Sequence, residues 1–330
     1  MTVKERLHIL GRTLKKFWYL PTAMLLLGTV WLALHLGWFA SPQTWQQASG
    51  YTAIPTASLP DGELPPDLEV EWLGHAGHIL TIDGTRIAID PNLSTWCSIS
   101  KRRWPAPLSP TDLHADLVLI SHAHMDHLDF ATLTGMPASS TIIMPSGADR
   151  YLPDAIADDR VVVLELNQTF ADTTRFGDLR ITAVIARHNG SRGHPFASSC
   201  LAVGYIIQSA AHTLYVAGDT GYGPHFQAIR EQFAPDMAIL PVGAFSPRIP
   251  LKWYHLNPQD AVKAAQVLNV RLVVPSHFGT FALSFDSPDT ALPRFAGEAA
   301  RVGIPWYMPT LPATTDPGPS QTTSTESPFR

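Results

Sequence analysis

The nine residues Ser121–Asp129, SHAHMDHLD, hold three histidines and two aspartates. Written as H-x-H-x-D-H, the motif is His122, His124, Asp126 and His127. In an extended stretch, side chains two positions apart share a face, so His122 and His124 can bind one ion together. A turn after them lets Asp126 and His127 face a neighbouring ion. Neutral imidazole with carboxylate suits zinc, and a catalytic zinc keeps one position open for water. Further ligands must then come from elsewhere in the chain. His188 in ARHNG, Asp219 in AGDTGYG and His277 in PSHFGTF are the candidates. Seven ligands imply two metals, with Asp219 placed to bridge them. An HxH pair alone often means no more than a polar strand, whereas HxHxDH with remote His and Asp residues is far narrower. The remaining histidines read more plainly. His8 and His35 fall in the N-terminal region, and His114, His194, His212 and His225 read as surface or structural. His75, in WLGHAGHIL, reads as a hydrogen-bonding support rather than a ligand. Asp129 reads as a helix-start residue.

Each candidate follows a short apolar run. Strands are expected at Val70–Leu73, Ile79–Ile82, Ile87–Ile89, Leu117–Ile120, Thr141–Met144, Val161–Leu164, Ile181–Ile185, Leu201–Ile207, Leu214–Val216, Met237–Leu240 and Leu272–Val274, all rich in Val and Ile and bounded by turn residues. Helices are expected at Pro258–Leu268, with Asn257 as N-cap and Pro in the first position, and at Pro224–Phe233. Strands dominate, and both faces of the sheets need cover, so the class is a layered mixed α/β protein. Residues His122 to His127, His188, Asp219 and His277 all lie just after strands. That places the site at one rim of packed sheets, on loops held by a rigid scaffold.

The chain has 330 residues and a net charge of −5, which leaves no basic face for neutralising phosphates and excludes nucleic acid as an expected partner. Two cysteines, Cys97 and Cys200, without a CxxC, make a thiolate zinc site unexpected; they read as core thiols or one disulfide. Residues 1–16 are basic, and residues 17–40 hold no Asp, Glu, Lys or Arg over 24 positions, with aromatic residues at both ends. That length can span a bilayer core as a helix, so a transmembrane signal anchor is expected rather than a cleaved leader. The positive-inside rule then puts the N-terminus in the cytoplasm and the catalytic domain on the exported side, the periplasm if the source is bacterial. Residues 41–67 read as a linker, 68–311 as the folded domain and 312–330 as a disordered tail.

WLGHAGHIL, DPNLS, SHAHMDHLD, GDTGYG and SHFGTF come in the order of the metallo-β-lactamase superfamily, across about Glu69 to Phe281. GDTGYGPHF, PVGAFSPR, KWYHLNPQDAV and SHFGTFALS narrow the resemblance to the branch that includes N-acyl-phosphatidylethanolamine-hydrolysing phospholipase D. The resemblance implies a four-layer αβ/βα sandwich. It also implies two Zn2+ ions, the first on His122, His124 and His188, the second on Asp126, His127 and His277, with Asp219 bridging. His255, in YHLNP, resembles a histidine near the catalytic centre, assigned to substrate binding or proton transfer alongside the catalytic Asp126 and Asp219. ARHNGSRG departs from the branch in lacking the aromatic that often follows the ligand histidine.

The expected activity is that of a membrane-anchored, zinc-dependent phosphodiesterase of phospholipase D type. It would act on N-acylphosphatidylethanolamine-like phospholipids by attack of a metal-bridging hydroxide on phosphorus. The alternative keeps the fold and metals and changes the bond to that of a lactone, β-lactam or other ester. Gly243–His255 (GAFSPRIPLKWYH) reads either as a lipid-facing groove with Arg248 and Lys252 for phosphate, or as an ordinary surface loop.

Overall fold

The computed structural model describes Gly28 and residues 62–192, 200–309 and 311–312. The chain divides into two compact units, Met1–Gly50 and Tyr51–Arg330. The expectation of a membrane anchor and an exported catalytic domain is corrected: among the described residues no helix is long and apolar enough to cross a membrane. Apart from Gly28, residues 17–40 lie outside the described residues, as do residues 1–16, 41–61 and, of the expected tail, residues 313–330. Residues 62–67 are not a free linker, for Gly62 N donates to the Trp306 carbonyl at 3.0 Å and Asp67 pairs with His212 at 2.8 Å.

Two six-stranded sheets form the second unit. In chain order the strands are β1 (Leu68–Gly74), β2 (Gly77–Ile82), β3 (Thr85–Ile89), β4 (Trp96–Cys97), β5 (Ser100–Lys101), β6 (Leu117–Leu119), β7 (Thr141–Pro145), β8 (Val161–Leu164), β9 (Thr169–Ala171), β10 (Arg180–Ile185), β11 (Val203–Gln208), β12 (Thr213–Val216), β13 (Met237–Pro241) and β14 (Leu272–Ser276). The first sheet has the order β1-β2-β3-β6-β7-β8, the second β14-β13-β12-β11-β10-β9, and β4-β5 is a small hairpin. Every strand expected from an apolar run is present. The three that were not expected, β4, β5 and β9, have two or three residues each, too short to show a period.

The layering follows from alternation along each strand. Leu80, Ile82, Ile87, Ile89, Leu117 and Leu119 from the first sheet meet Ile181, Ala183, Tyr205, Ile207, Leu214 and Ile239 from the second in one central core. Their neighbours Ile79, Ala88, Val118 and Ile142 point the other way, into a core under α1 (Phe130–Gly135). Ile206, Tyr215, Ala238 and Val273 point outward from the second sheet, against three helices. The remaining helices in chain order are α2 (Thr173–Phe176), α3 (His225–Phe233), α4 (Arg248–Leu251), α5 (Pro258–Leu268) and α6 (Ala291–Val302). Helices α3, α5 and α6 supply that outer cover, with Phe226, Ala261, Ala265, Leu292 and Phe295. The result is helix, sheet, sheet, helix. Burial on both faces explains why the strands read as continuous Val/Ile runs. Helix α5 starts as expected, with Asn257 accepting from Asp260 N at 2.7 Å. Both cysteines are buried and free.

Strand direction sets up the site. Strands β3, β6 and β7 run parallel, as do β12, β13 and β14. Strand β10 is antiparallel to β11, which is antiparallel to β12, so β10 points the same way as β12. The segments that follow β3, β6, β10, β12 and β14 carry Asp90, the HxHxDH motif, His188, Asp219 and His277.

Candidate metal centre

The HxHxDH segment leaves β6 extended and then turns. His127 N and Leu128 N both donate to the His124 carbonyl, at 3.1 and 2.8 Å. Asp129 then caps α1, accepting from Thr132 N at 3.0 Å, the helix-start role expected of it. The extended part puts His122 Nε2 2.9 Å from His124 Nδ1, and His188 Nε2 lies 3.1 Å from the same His124 nitrogen. The turned part swings Asp126 and His127 to the other side. Asp126 Oδ2 is 3.2 Å from His277 Nε2 and 3.4 Å from His127 Nε2. Between the halves stands Asp219. Its Oδ2 is 3.2 Å from His277 Nε2 and 3.3 Å from His127 Nε2, and 3.8 and 3.9 Å from His188 and His122 Nε2. All seven residues singled out in the sequence converge. His255 joins them, with Nδ1 3.7 Å from Asp219 Oδ2.

Gly218 makes the approach of Asp219 possible. Its φ is +58°, and a Cβ there would lie 2.7 Å from the Ser121 Cβ, beside His122. His75, Asp90 and His277 also hold positive φ (53°, 41° and 57°), a strain that persists where surrounding contacts over-determine a site.

Two supports hold the second half. His75 Nε2 lies 2.9 Å from Asp126 Oδ2, the hydrogen-bonding role read for it in the sequence, though its position also groups it with Asp126, His127 and His277 as a possible ion contact. Asp90 was not singled out. It accepts from Ser121 N at 2.7 Å, from Ser121 Oγ at 2.6 Å and from His127 Nδ1 at 2.7 Å. With Nδ1–H committed to Asp90, Nε2 is the nitrogen that faces the cluster, and it would offer its lone pair to an ion once its proton leaves. His188 is treated likewise: its Nδ1 donates to the Tyr254 carbonyl at 3.0 Å. Asn92 ties the turn down through the carbonyls of Met125 and Asp126, at 3.2 and 3.4 Å.

Burial works against charge on every ring. It pulls His188 down to about 3, His75 and His255 to about 4, and His122 well below the ordinary histidine value. For His277 and His127 burial is outweighed by carboxylates, chiefly Asp219 and Asp126; His277 rises to about 9 and His127 well above its usual value. Burial is likewise outweighed at Asp126 and Asp219, which the neighbouring histidines hold well below the usual carboxylate range. Two buried carboxylates thus demand positive charge. His127 Nε2, Asp219 Oδ1 and His255 Nδ1 are buried without hydrogen-bond partners. Donors about 2.0–2.2 Å from one tetrahedral ion stand about 3.3–3.6 Å from one another, close to the spacings here. The donor set fits a divalent metal.

A cavity of about 260 Å³ opens on the cluster, with His124, Asp126, Asp219, His255 and His277 on its floor and Cys97, Ser98, Met125, Ala244, Leu251, Leu283 and Ser284 on its walls. Arg248 and Lys252 do not line it, contrary to the phosphate-binding reading. Arg248 is ion-paired with Asp260, and the Lys252 ammonium sits 5.0 Å from the centre of the Trp253 ring. Phe245 of the same segment is buried in the outer core.

Residues 85–278 match the family described as Beta-lactamase superfamily domain. An uncharacterized protein of Mycobacterium tuberculosis is 36% identical over 235 residues, covering 66% of this chain and 60% of the relative. The chain therefore spans about 60% of the length of the mycobacterial relatives it matches. The N-acyl-phosphatidylethanolamine-hydrolyzing phospholipase D 1 of Caenorhabditis elegans is 29% identical over 229 residues, covering 64% of each chain. Among solved structures, a metallo hydrolase of Ignicoccus hospitalis superposes with a TM-score of 0.54 at 22% identity, covering 74% of this chain and 94% of the other. The family match over residues 85–278 and a rim of clustered His and Asp side chains agree, and the chain belongs to the metallo-β-lactamase superfamily.

Proposed function

We propose that this protein is a zinc-dependent phosphodiesterase of phospholipase D type, acting on N-acylphosphatidylethanolamine-like phospholipids. One zinc would be held by His122, His124 and His188, a second by Asp126, His127 and His277, and Asp219 would be shared. Two zinc ions at these residues would activate water and neutralise charge developing at phosphorus. In the reaction, the water oxygen bonds to phosphorus, the bond from phosphorus to the head-group oxygen breaks, and a proton reaches that oxygen. Phosphatidic acid and an N-acylethanolamine leave.

The chain's own contributions are positional. His75 holds Asp126, and Asp90 holds His127. His255 stands on the cavity floor, and burial keeps its ring neutral at pH 7. A neutral imidazole can offer N–H to a phosphoryl oxygen or pass a proton to the leaving oxygen. Among the described residues no Lys or Arg lines the cavity, so the metals would offset substrate charge there. That suits a singly charged diester better than a doubly charged monoester.

The observation that carries the substrate class is the distribution of exposed apolar side chains. Eight of the twelve large ones among the described residues lie on segments that wall the cavity. Trp96 and Ile99 flank Cys97 and Ser98; Met125 and Leu283 line the wall themselves. Ile249, Trp253 and Tyr254 flank Leu251, and Phe285 follows Ser284. Exposed apolar side chains concentrated on the segments around a site fit an apolar ligand. The name of the C. elegans relative supports the same class. The test is release of phosphatidic acid from N-acylphosphatidylethanolamine in detergent micelles by the zinc-loaded protein. Cleavage of a lactone or β-lactam with no phosphatidic acid would replace this reading with the small-molecule alternative.

A further inference from the structure

Most of the proposed ligands follow directly from strands, but one half of the centre leans on a loop. From Gly243 to His255 the chain crosses the mouth of the site outside both sheets. Arg248 holds the far end of this loop. Its Nη1 donates to the His255 carbonyl at 2.9 Å, and its Nη2 is paired with Asp260 in the first turn of α5. Within the turn, Tyr254 N and His255 N donate back to the Leu251 carbonyl at 2.9 and 2.8 Å, which ties residues 251–255 into one hydrogen-bonded turn. The near side of that turn meets the metal site. The Tyr254 carbonyl receives His188 Nδ1 at 3.0 Å, and the His188 and His255 rings stand 4.9 Å apart at 81°. Gly221 permits this seating, since a Cβ there would lie 2.4 Å from the Trp253 carbonyl oxygen.

We propose that Arg248, through its pair with Asp260, is a positioning residue for the His122–His124–His188 half of the centre. The pair sets the place of the Tyr254 carbonyl. That carbonyl orients His188 and leaves Nε2 facing His124 and Asp219. The other half has separate supports: Asp90 holds His127, and His277 follows β14 directly. The two halves therefore differ in their dependence on Arg248. The inference rests on the assignment of His188 as a ligand.

Co2+ titration of the metal-free full chain, followed by its visible absorption and by chelator competition, reads the two affinities separately. Arg248→Met and Asp260→Asn should each weaken one ion by about 10–100-fold and leave the other unchanged, as loss of a residue behind a ligand typically does. The weakened ion should be the one that His188→Ala loses. Arg248→Lys should recover only part of the affinity, because an ammonium cannot reach both the carboxylate and the carbonyl as the guanidinium fork does. Equal weakening of both ions, or no change in Arg248→Met, would overturn the proposal. If His188→Ala binds both ions as tightly as the parent, the ligand assignment itself fails and the positioning role fails with it.

Discussion

Asp90→Asn tests how the centre is tuned from behind. The side chain is buried and accepts three hydrogen bonds, two from Ser121 and one from His127 Nδ1. Asparagine keeps the shape. Its oxygen can still accept from Ser121 N, but its amide then faces Ser121 Oγ and His127 Nδ1 and offers a donor where an acceptor is needed. His127 is driven to the other tautomer, with hydrogen on Nε2, the nitrogen that lies 3.3 Å from Asp219 and 3.4 Å from Asp126. Binding a cation at Nε2 then returns the ring hydrogen to Nδ1, against an amide donor in place of the Asp90 carboxylate. The expected loss in metal affinity is about 10–100-fold, or roughly 1.4–2.8 kcal/mol. Losing a hydrogen bond to a charged acceptor also costs about 1.5–3 kcal/mol of stability. In a domain of this size each kcal/mol lowers Tm by about 2–4 °C. The assay is chelator-competition binding, with Tm of the metal-free protein recorded in parallel. Affinity within twofold of the parent, beside a lowered Tm, would refute the tautomer argument and leave Asp90 a purely structural acceptor.

Asp219→Asn should abolish hydrolysis nearly completely while the metal-free circular dichroism spectrum stays that of the parent; kcat/KM above a tenth of the parent would contradict the bridging role. Metal loading near pH 7 should release protons, because His277, raised to about 9, and His127, raised well above its usual value, carry them in the metal-free protein; calorimetry in buffers of different ionisation enthalpy should show heats that depend on the buffer. The same shifts set the stability of the metal-free domain. The raised pair stabilises fully below the unfolded histidine value of about 6.5 and loses this as pH climbs through about 9. His75, His188 and His255, lowered to about 4, 3 and 4, stabilise above 6.5 and lose this as pH falls through those values, so Tm should peak near pH 6–7. Gly218→Ala, forced to keep φ +58° with its Cβ 2.7 Å from Ser121, should cost at least about 1–2 kcal/mol, read by urea denaturation.

The parts of the site that are local in sequence were legible. HxHxDH declares its chemistry within six residues, and His188, Asp219 and His277 could be found because each follows a Val- or Leu-rich strand. Asp90 also follows a strand, but its partner His127 is 37 residues on, and a lone aspartate before proline reads as a turn. Of the two readings of the Gly243–His255 segment, the one that gives Arg248 to phosphate fails for a related reason. A cation in an aromatic loop near a phosphate site suggests substrate, whereas its partners are Asp260 and a backbone carbonyl. The fold shows the same divide. Long buried strands announced themselves through Val and Ile. Helix α6 did not, since Thr290 makes no side-chain cap and the helix carries Pro293 and Gly297. Its place is set by Leu292, Phe295 and Ala299 packing into the outer core, a tertiary effect that local propensity does not carry. The apolar run at 17–40 had the length of a membrane span, but length and hydropathy do not by themselves establish one.

The central claim is that two metals at this rim cleave a phospholipid head group. Its most direct test is phosphatidic acid release from N-acylphosphatidylethanolamine, measured while metal-free protein is titrated with zinc. The account predicts no release without metal and a rise that levels off at two equivalents per chain. Release that is complete at one equivalent, or no phosphatidic acid at any loading, would contradict it.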